Sequence, residues 1–332
     1  MTSVDSRTAE RDSGVAALDS RLTALDSRMA ELARAPELAP YHDEPAQMPS
    51  AAPGKVGQLR LRFAHRGDRT VLADLYRQAP LLVQRALYWD EAMPEMACVF
   101  VLTTSGGVLQ GDRLRIDLAL EAGARAHVTT QSATKIQEMD ANYAAQIQDI
   151  VLADDAYLEY LPEPIIPYRN SRFITHTRIT LPESATALYA EIQLPGRKYH
   201  RDGEIFQYQL FSSTVTGARP AGPDLFVEKF VIEPDRFAVD RPGVMDRFHV
   251  FATVLLLTAP DKAERVLEQT PSTWDSTTPL AAGANRLPNQ AGLIFRVLGM
   301  ETEPVRAVVR QFCAQARQAA VGRATPPMFR WR

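Results

Sequence analysis

LEAGARAHV (residues 120–128), LADDAYLEY (152–160) and LPESATALY (181–189) share one pattern: a leucine, three turn-like residues, an alanine, then alternating apolar positions. The copies begin 32 and 29 residues apart. Recurrence near thirty residues, with a small alanine at each corner, predicts strands stacked as the coils of an open β-helix-like body or as layered β-sheets, rather than a closed barrel. A plain β meander makes similar corners and stands as the alternative.

The flanking sequence agrees with a mainly β body. In RLRIDLAL (113–120) Leu114, Ile116, Leu118 and Leu120 face one way while Arg113, Arg115 and Asp117 face the other, the period of a half-buried strand. SRFITHTRITL, EIFQYQLFSSTVT and LFVEKFVIEP read likewise, rich in β-branched and aromatic residues, and no ten-residue helical pattern intervenes between Arg113 and Pro234. TTQSATKIQEMD (129–140) reads as a polar loop. Helices gather at the end of the chain. ETEPVRAVVRQFCAQARQAAVG (301–322) offers Thr302 or Glu303 as N-cap, Pro304 near the first turn, Val305, Val308, Val309, Phe312, Cys313 and Ala316 on one face, and Gly322 past the last turn. DKAERVLEQT from Asp261 is a shorter helix.

Residues 1–56 read as a separate arm. Leu18, Leu22, Leu25, Met29 and Leu32 alternate spacings of four and three, about two heptads of a short amphipathic helix. Pro36, Pro40, Pro45, Pro49 and Pro53 come next, in a linker whose fixed φ angles and missing N–H groups oppose regular structure. The β-rich body with its C-terminal helices is therefore expected over 57–332.

Composition excludes several classes. Over 332 residues the formal net charge is -3, which gives no reason to expect a nucleic-acid partner. The two cysteines, Cys98 and Cys313, lie far apart and outside any Cys/His cluster, which argues against a disulfide framework and a zinc site. The start of the chain lacks the apolar core of a leader, and the longest apolar stretch, VFATVLLLTA from Val250, is too short for a membrane span, so a cytoplasmic location is expected.

TTSGGVLQGDRL (103–114) has the glycine spacing of a phosphate-binding loop, but Asp112 and Arg113 stand where Lys and Ser or Thr are needed. A carboxylate at that place repels phosphate, so nucleotide hydrolysis is not expected. Gly106, Gly107 and Gly111 read instead as a tight turn into the strand at Arg113. There is no G-x-S-x-G, and the six histidines are scattered, His65, His127, His176 and His249 each alone in a strand-like stretch, where an ordinary hydrogen-bonded histidine is the expectation. LPGRKYHRDGE (194–204) is the densest ionisable cluster, either a solvated hairpin end or a binding loop.

SGGVLQGDRL, EAGARAHVTTQSATKI, LEYLPEPIIPY and LPGRKYHRDGE, in this order and spacing, resemble the urease accessory protein family called UreD or UreH, from about Arg60 to about Leu257. The resemblance implies a non-catalytic maturation factor with no tightly bound cofactor. It implies partners in apo-urease, the accessory protein UreF and the GTPase UreG, with a homodimer inside the accessory complex left open. It further implies transient nickel carried along an internal polar route, for which Asp112, Thr130, Ser132 and Glu204 are the candidates, beside the motif residues Gly106, Gly107, Gly111, Arg113, Lys135, Gly196 and Arg197. The chain departs from the family in Gln110-Gly111, which replaces a glycine pair, in QRALYWDEAMPE (84–95), and in the heptad arm. The tail TPPMFRWR offers Phe329 and Trp331 as a partner contact. Two other classes stay open on the residues alone: a carbohydrate-active β-helix enzyme, with Asp112 and Glu204 as opposed carboxylates, and a structural β scaffold that oligomerises through the arm.

Overall fold

The computed structural model describes residues 27–41, 55–274, 277 and 279–326. The chain divides into two compact units, Met1–Glu44 and Pro45–Arg332. In the first, residues 27–32 are helical and Pro36–Tyr41 form a 3-10 helix. Regular structure thus reaches into the proline segment, because Pro36 sits at a helix start, where its missing N–H has no partner to lose. Leu18, Leu22 and Leu25 of the heptad pattern lie outside the described residues.

The second unit is mainly β, and through residues 97–218 its strands, two short ones apart, alternate between two sheets. The first sheet holds β1 (Val56–Arg66), β2 (Arg69–Gln78), β5 (Arg113–Leu120), β8 (Ala144–Leu152), β11 (Arg172–Thr180), β13 (Leu210–Ala218) and β14 (Asp224–Ile232), in the order β14-β13-β11-β8-β5-β1-β2. The second runs β16 (Leu280–Arg286), β17 (Gly292–Gly299), β15 (Val250–Leu257), β12 (Thr186–Gln193), β9 (Tyr157–Tyr160), β6 (Arg125–Thr130), β4 (Ala97–Thr103) and β3 (Leu81–Leu82). Two short strands, β7 (Thr134–Ile136) and β10 (Ile165–Pro167), pair with each other in parallel, and β10 reaches β12.

The repeat is visible in the ladders. Parallel pairing sets Arg113 opposite Ala145 and Arg125 opposite Tyr157, both 32 residues apart, then Ala144 opposite Phe173 and Tyr157 opposite Thr186, both 29 apart. At each corner the alanine N–H closes a turn: Ala124 to Glu121 O (3.0 Å), Ala156 to Ala153 O (3.2 Å), Ala185 to Pro182 O (3.3 Å). These alanines are fully buried, so a larger side chain there would meet packed neighbours.

Two cores result. Leu59, Leu61, Phe63, Ile116, Leu118, Ile150 and Phe173 fill the space between the sheets. The outer face of the second sheet packs on α1 (Pro260–Glu268) and α2 (Thr302–Val321), where Phe295 stacks on Phe312 at 4.5 Å between ring centres. Strand β15 serves both cores, Leu255 and Leu257 toward one and Ala252, Val254 and Leu256 toward the other, which is why its sequence is a continuous apolar run.

Three boundaries differ from expectation. β13 starts at Leu210, and Glu204–Gln209 are loop, Phe206 having a φ of 52° that no strand tolerates. The loop-like TTQSATKIQEMD contains the end of β6 and all of β7, three residues being too few to show a period. The N-cap of α2 is Glu301, whose side chain makes no capping bond and instead accepts from Lys198 Nζ (2.5 Å) and the Tyr199 hydroxyl (2.7 Å). Gly322 ends the helix in the left-handed region at φ 67°.

Candidate functional site

The four motifs lie on successive rungs of one wall. Val108 of the glycine loop bridges Ile136 of β7, donating its N–H to Lys135 O (2.8 Å) and accepting from Gln137 N–H (2.9 Å). β7 pairs with β10, and Leu194 N–H donates to Ile165 O (2.9 Å), which brings in the loop that starts at Gly196. Gly107, at φ 145°, lies so close to β7 that a Cβ would collide with Lys135 O. Gly196, at φ 130°, is held in the same way against Glu204 O. Glycine is required at both by close backbone approach.

Asp112 answers the question its sequence position raises. It is fully buried, Oδ1 accepting the Lys55 N–H and Oδ2 the Leu109 N–H, each at 2.8 Å. Burial raises its pKa, and these two hydrogen bonds oppose that rise. The carboxylate thus pins the start of β1 to the glycine turn. Arg113 points to Tyr143 O (2.6 Å) and Asn142 Oδ1 (3.1 Å), with its guanidinium 4.1 Å from the centre of the Tyr143 ring. Glu204 binds Arg197 through two hydrogen bonds, one of 2.6 Å to Nε, and Arg197 lies over the Tyr168 ring at 4.0 Å. The bonds from Arg197 hold the Glu204 carboxyl below its ordinary range.

A cavity of about 200 Å³ opens beside the glycine loop and runs between the sheets. Gly106, Thr130, Ser132 and Lys135 line it where residues are exposed or half-buried, with Gly107 buried beside them; the buried Gln148, Tyr160, Thr175 and Tyr189 line it deeper between the sheets, together with the half-buried Glu191. The polar groups form a chain. Tyr160 donates to Gln148 Oε1 (2.5 Å), Gln148 Nε2 to Thr177 Oγ1 (2.9 Å), and Thr177 Oγ1 lies 3.1 Å from the Tyr189 hydroxyl. Tyr189 donates to Glu191 Oε1 (2.6 Å) and Ser213 to Glu191 Oε2 (2.9 Å). Burial raises the Glu191 pKa, opposed by those two donors. The buried Thr175 hydroxyl, also on the cavity, has no protein partner.

Of the four residues singled out for a metal route, Thr130 and Ser132 line this cavity; Asp112 and Glu204 line neither it nor the groove beside α2. Gly111, Arg113, Gly196 and Arg197 support the wall without lining it. Phe329 and Trp331 lie outside the described residues. Sequence reasoning missed Glu191, Gln148, Tyr160 and Tyr189. The available signal was a carboxylate at the inward position of TALYAEIQ, where the alternation calls for an apolar residue.

A second polar cluster, also missed, lies beneath α2. Arg317, 2% exposed, binds Asp90 Oδ2 (2.6 Å) and Glu159 Oε1 (3.4 Å). Glu159 also accepts from the Tyr157 hydroxyl (2.7 Å) and lies 2.7 Å from His127 Nδ1, its partner on the neighbouring parallel strand. Burial alone would raise the Glu159 pKa, but His127, Arg317 and Tyr157 together leave it lowered. Burial pushes the Cys98 thiol up to about 12 and the Cys313 thiol higher, so both are inert packing residues. Among the described residues no group of three or more His, Cys, Asp and Glu is arranged to hold a metal ion. No described helix is long and apolar enough to cross a membrane.

Residues 55–332 match the family model described as UreD urease accessory protein. The chain is 51% identical over 300 residues to urease accessory protein UreD 2 of Brucella suis biovar 1 (strain 1330), covering 90% of this chain and 99% of that protein. It is 51% identical over 298 residues to urease accessory protein UreD of Yersinia pseudotuberculosis serotype O:1b (strain IP 31758), covering 90% and 93%. With four motifs stacked on one wall and this identity along nearly the whole body, the chain belongs to the UreD family of urease accessory proteins, maturation factors rather than enzymes.

Proposed function

We propose that the chain is a cytoplasmic scaffold that binds apo-urease, UreF and the GTPase UreG, and lets nickel pass through its body toward the urease active site. Nickel is cargo here, held briefly and by oxygen. The observation that carries this reading is the polar cavity between the sheets, with Thr130 and Ser132 at its open part and the half-buried Glu191 carboxylate between the strands. Oxygen ligands without imidazole or thiolate bind a borderline transition metal weakly, which suits transfer better than storage. Asp112 and Glu204 belong to the reading as wall supports, since their oxygens are engaged by Lys55, Leu109 and Arg197. The open β-helix-like architecture is part of the proposal, supported by the parallel pairings offset by 32 and 29 residues.

The test is to express the urease operon with Glu191→Gln or Glu191→Leu. Both variants should still co-purify with UreF, UreG and apo-urease, while urease from those cells contains little nickel. Normal nickel loading in both would end the route through Glu191. Failure of the wild-type chain to co-purify with any of these partners would end the scaffold reading.

A further inference from the structure

Strand β6 serves two cavities. Alternation turns Val128 toward the core between the sheets and His127 and Thr129 toward α2, where a groove of about 720 Å³ lies against the outer face of the second sheet. Phe100, Leu161, Ile192 and Val309 give this groove apolar walls, while its Arg306 and Arg310 are engaged by Glu163 and Glu303. Thr130, Gln131 and Pro162 line both the groove and the cavity between the sheets, so the end of β6 is the partition between them. Among the described residues, His127 is the one imidazole lining either space. Its Nδ1 meets Glu159 at 2.7 Å, its ring stands edge-on to Trp89 at 5.5 Å between centres, and its Nε2 has no hydrogen-bond partner among the described residues.

We infer that His127 Nε2 is a nickel ligand, the nitrogen donor that takes the cargo as it leaves the cavity between the sheets around the end of β6; this rests on the nickel-passage reading above. The tautomer is set from behind. Glu159, held ionised by its neighbours, can only accept, so Nδ1 carries the proton and Nε2 keeps its lone pair. A carboxylate behind a histidine also fixes the ring and raises its basicity toward a metal. Charge favours a cation as well. Glu159 and Asp90 share a single guanidinium, that of Arg317, which leaves the buried cluster one negative charge in surplus. Cys313 lines the groove too, but burial keeps its thiol protonated and out of the competition. Imidazole suits nickel better than hydroxyl or carboxylate oxygen does, so passage from the side of Thr130 and Ser132 to His127 runs toward the stronger donor and gains a direction. With one protein nitrogen, and water completing its shell, the ion is held loosely enough to move on.

The six histidines make the test internal. The full-length chain, with its histidine rings labelled with nitrogen-15, is titrated with nickel chloride alone, the His127 signals being assigned by their loss in His127→Gln. Paramagnetic nickel should broaden the His127 signals below one equivalent, before those of the other five. Calorimetry should show nickel affinity at least tenfold weaker in His127→Gln. Glu159→Gln, which still offers an acceptor to Nδ1–H and leaves Arg317 paired with Asp90, should weaken it about tenfold with the melting temperature retained, a loss that a merely structural role for Glu159 would not produce. Equal broadening of all six histidines overturns the inference, as does unchanged affinity in His127→Gln; the broadening is read on the wild-type chain and so stands even if a variant does not fold. Urease from cells carrying His127→Gln should contain several-fold less nickel while the chain still co-purifies with its partners, and normal loading would remove His127 from the passage. The titrations need no partner, so their failure overturns this inference and leaves the scaffold reading standing, whereas loss of co-purification by the wild-type chain strikes that reading alone.

Discussion

Asp112 accepts hydrogen bonds from backbone N–H groups 57 and 3 residues away, so its carboxylate joins two distant pieces of chain. Asp112→Asn keeps one acceptor oxygen and turns the other contact into two facing donors. The expected cost is about 1–3 kcal/mol, read as a lower urea midpoint, with urease nickel content near normal. A stable Asp112→Asn chain whose urease lacks nickel would return this carboxylate to the metal route. Glu191 behaves oppositely. Its folded-state pKa is raised, so folding favours the protonated form, and that contribution is lost as pH rises through the raised value. Glu191→Gln, a neutral isostere, should therefore melt above the wild type at neutral pH, with the gain shrinking toward about pH 4, where the wild-type side chain is itself protonated. A pH-independent difference would show that burial of the charge is not its cause. The glycines divide similarly. Gly107 and Gly196 are fixed by backbone approach, whereas a Cβ at Gly106 would meet nothing nearer than 4.0 Å.

At the scale of the element, α2 is held by packing and by one buried ion cluster. Val305, Val309, Phe312, Cys313 and Ala316 supply the apolar face that the spacing in the sequence announces. Arg317 lies on the same buried side and was not foreseen, because an arginine near a helix end reads as solvated and its partners, Asp90 and Glu159, are 227 and 158 residues away. Arg317→Met leaves two carboxylates without their cation and should cost about 3–5 kcal/mol, measured by urea unfolding. Arg317→Met combined with Asp90→Asn should cost less than the sum of the two single changes, since the second removes a charge the first left bare. Additive costs would show that Arg317 and Asp90 do not interact energetically. The short strands tell the same story. β7 and β10 exist because the fold brings Thr134 beside Ile165, and nothing within three residues could reveal it.

For the whole molecule, a chain lacking residues 1–44 should keep the β circular dichroism and cooperative melting of the full-length protein, because that stretch is a compact unit of its own and β1 starts only at Val56. A cut beyond Lys55 would be less gentle, removing the donor to Asp112 Oδ1. An insoluble product from the shorter deletion would make the arm part of the folding unit. The recurrence near thirty residues, the alanine corners, the mainly β composition and both C-terminal helices were legible in the sequence, since each depends on side-chain spacing or backbone chemistry within a few residues. Tertiary structure alone decided which polar residues share a cavity and which carboxylates are merely struts. Glu191, Gln148, Tyr189 and Ser213 meet only because strands distant in the chain place them side by side between two sheets, and Arg317 finds Asp90 only because α2 folds back over the second sheet. A buried polar group draws its role from neighbours far away in the chain, and local pattern carries no record of those distances.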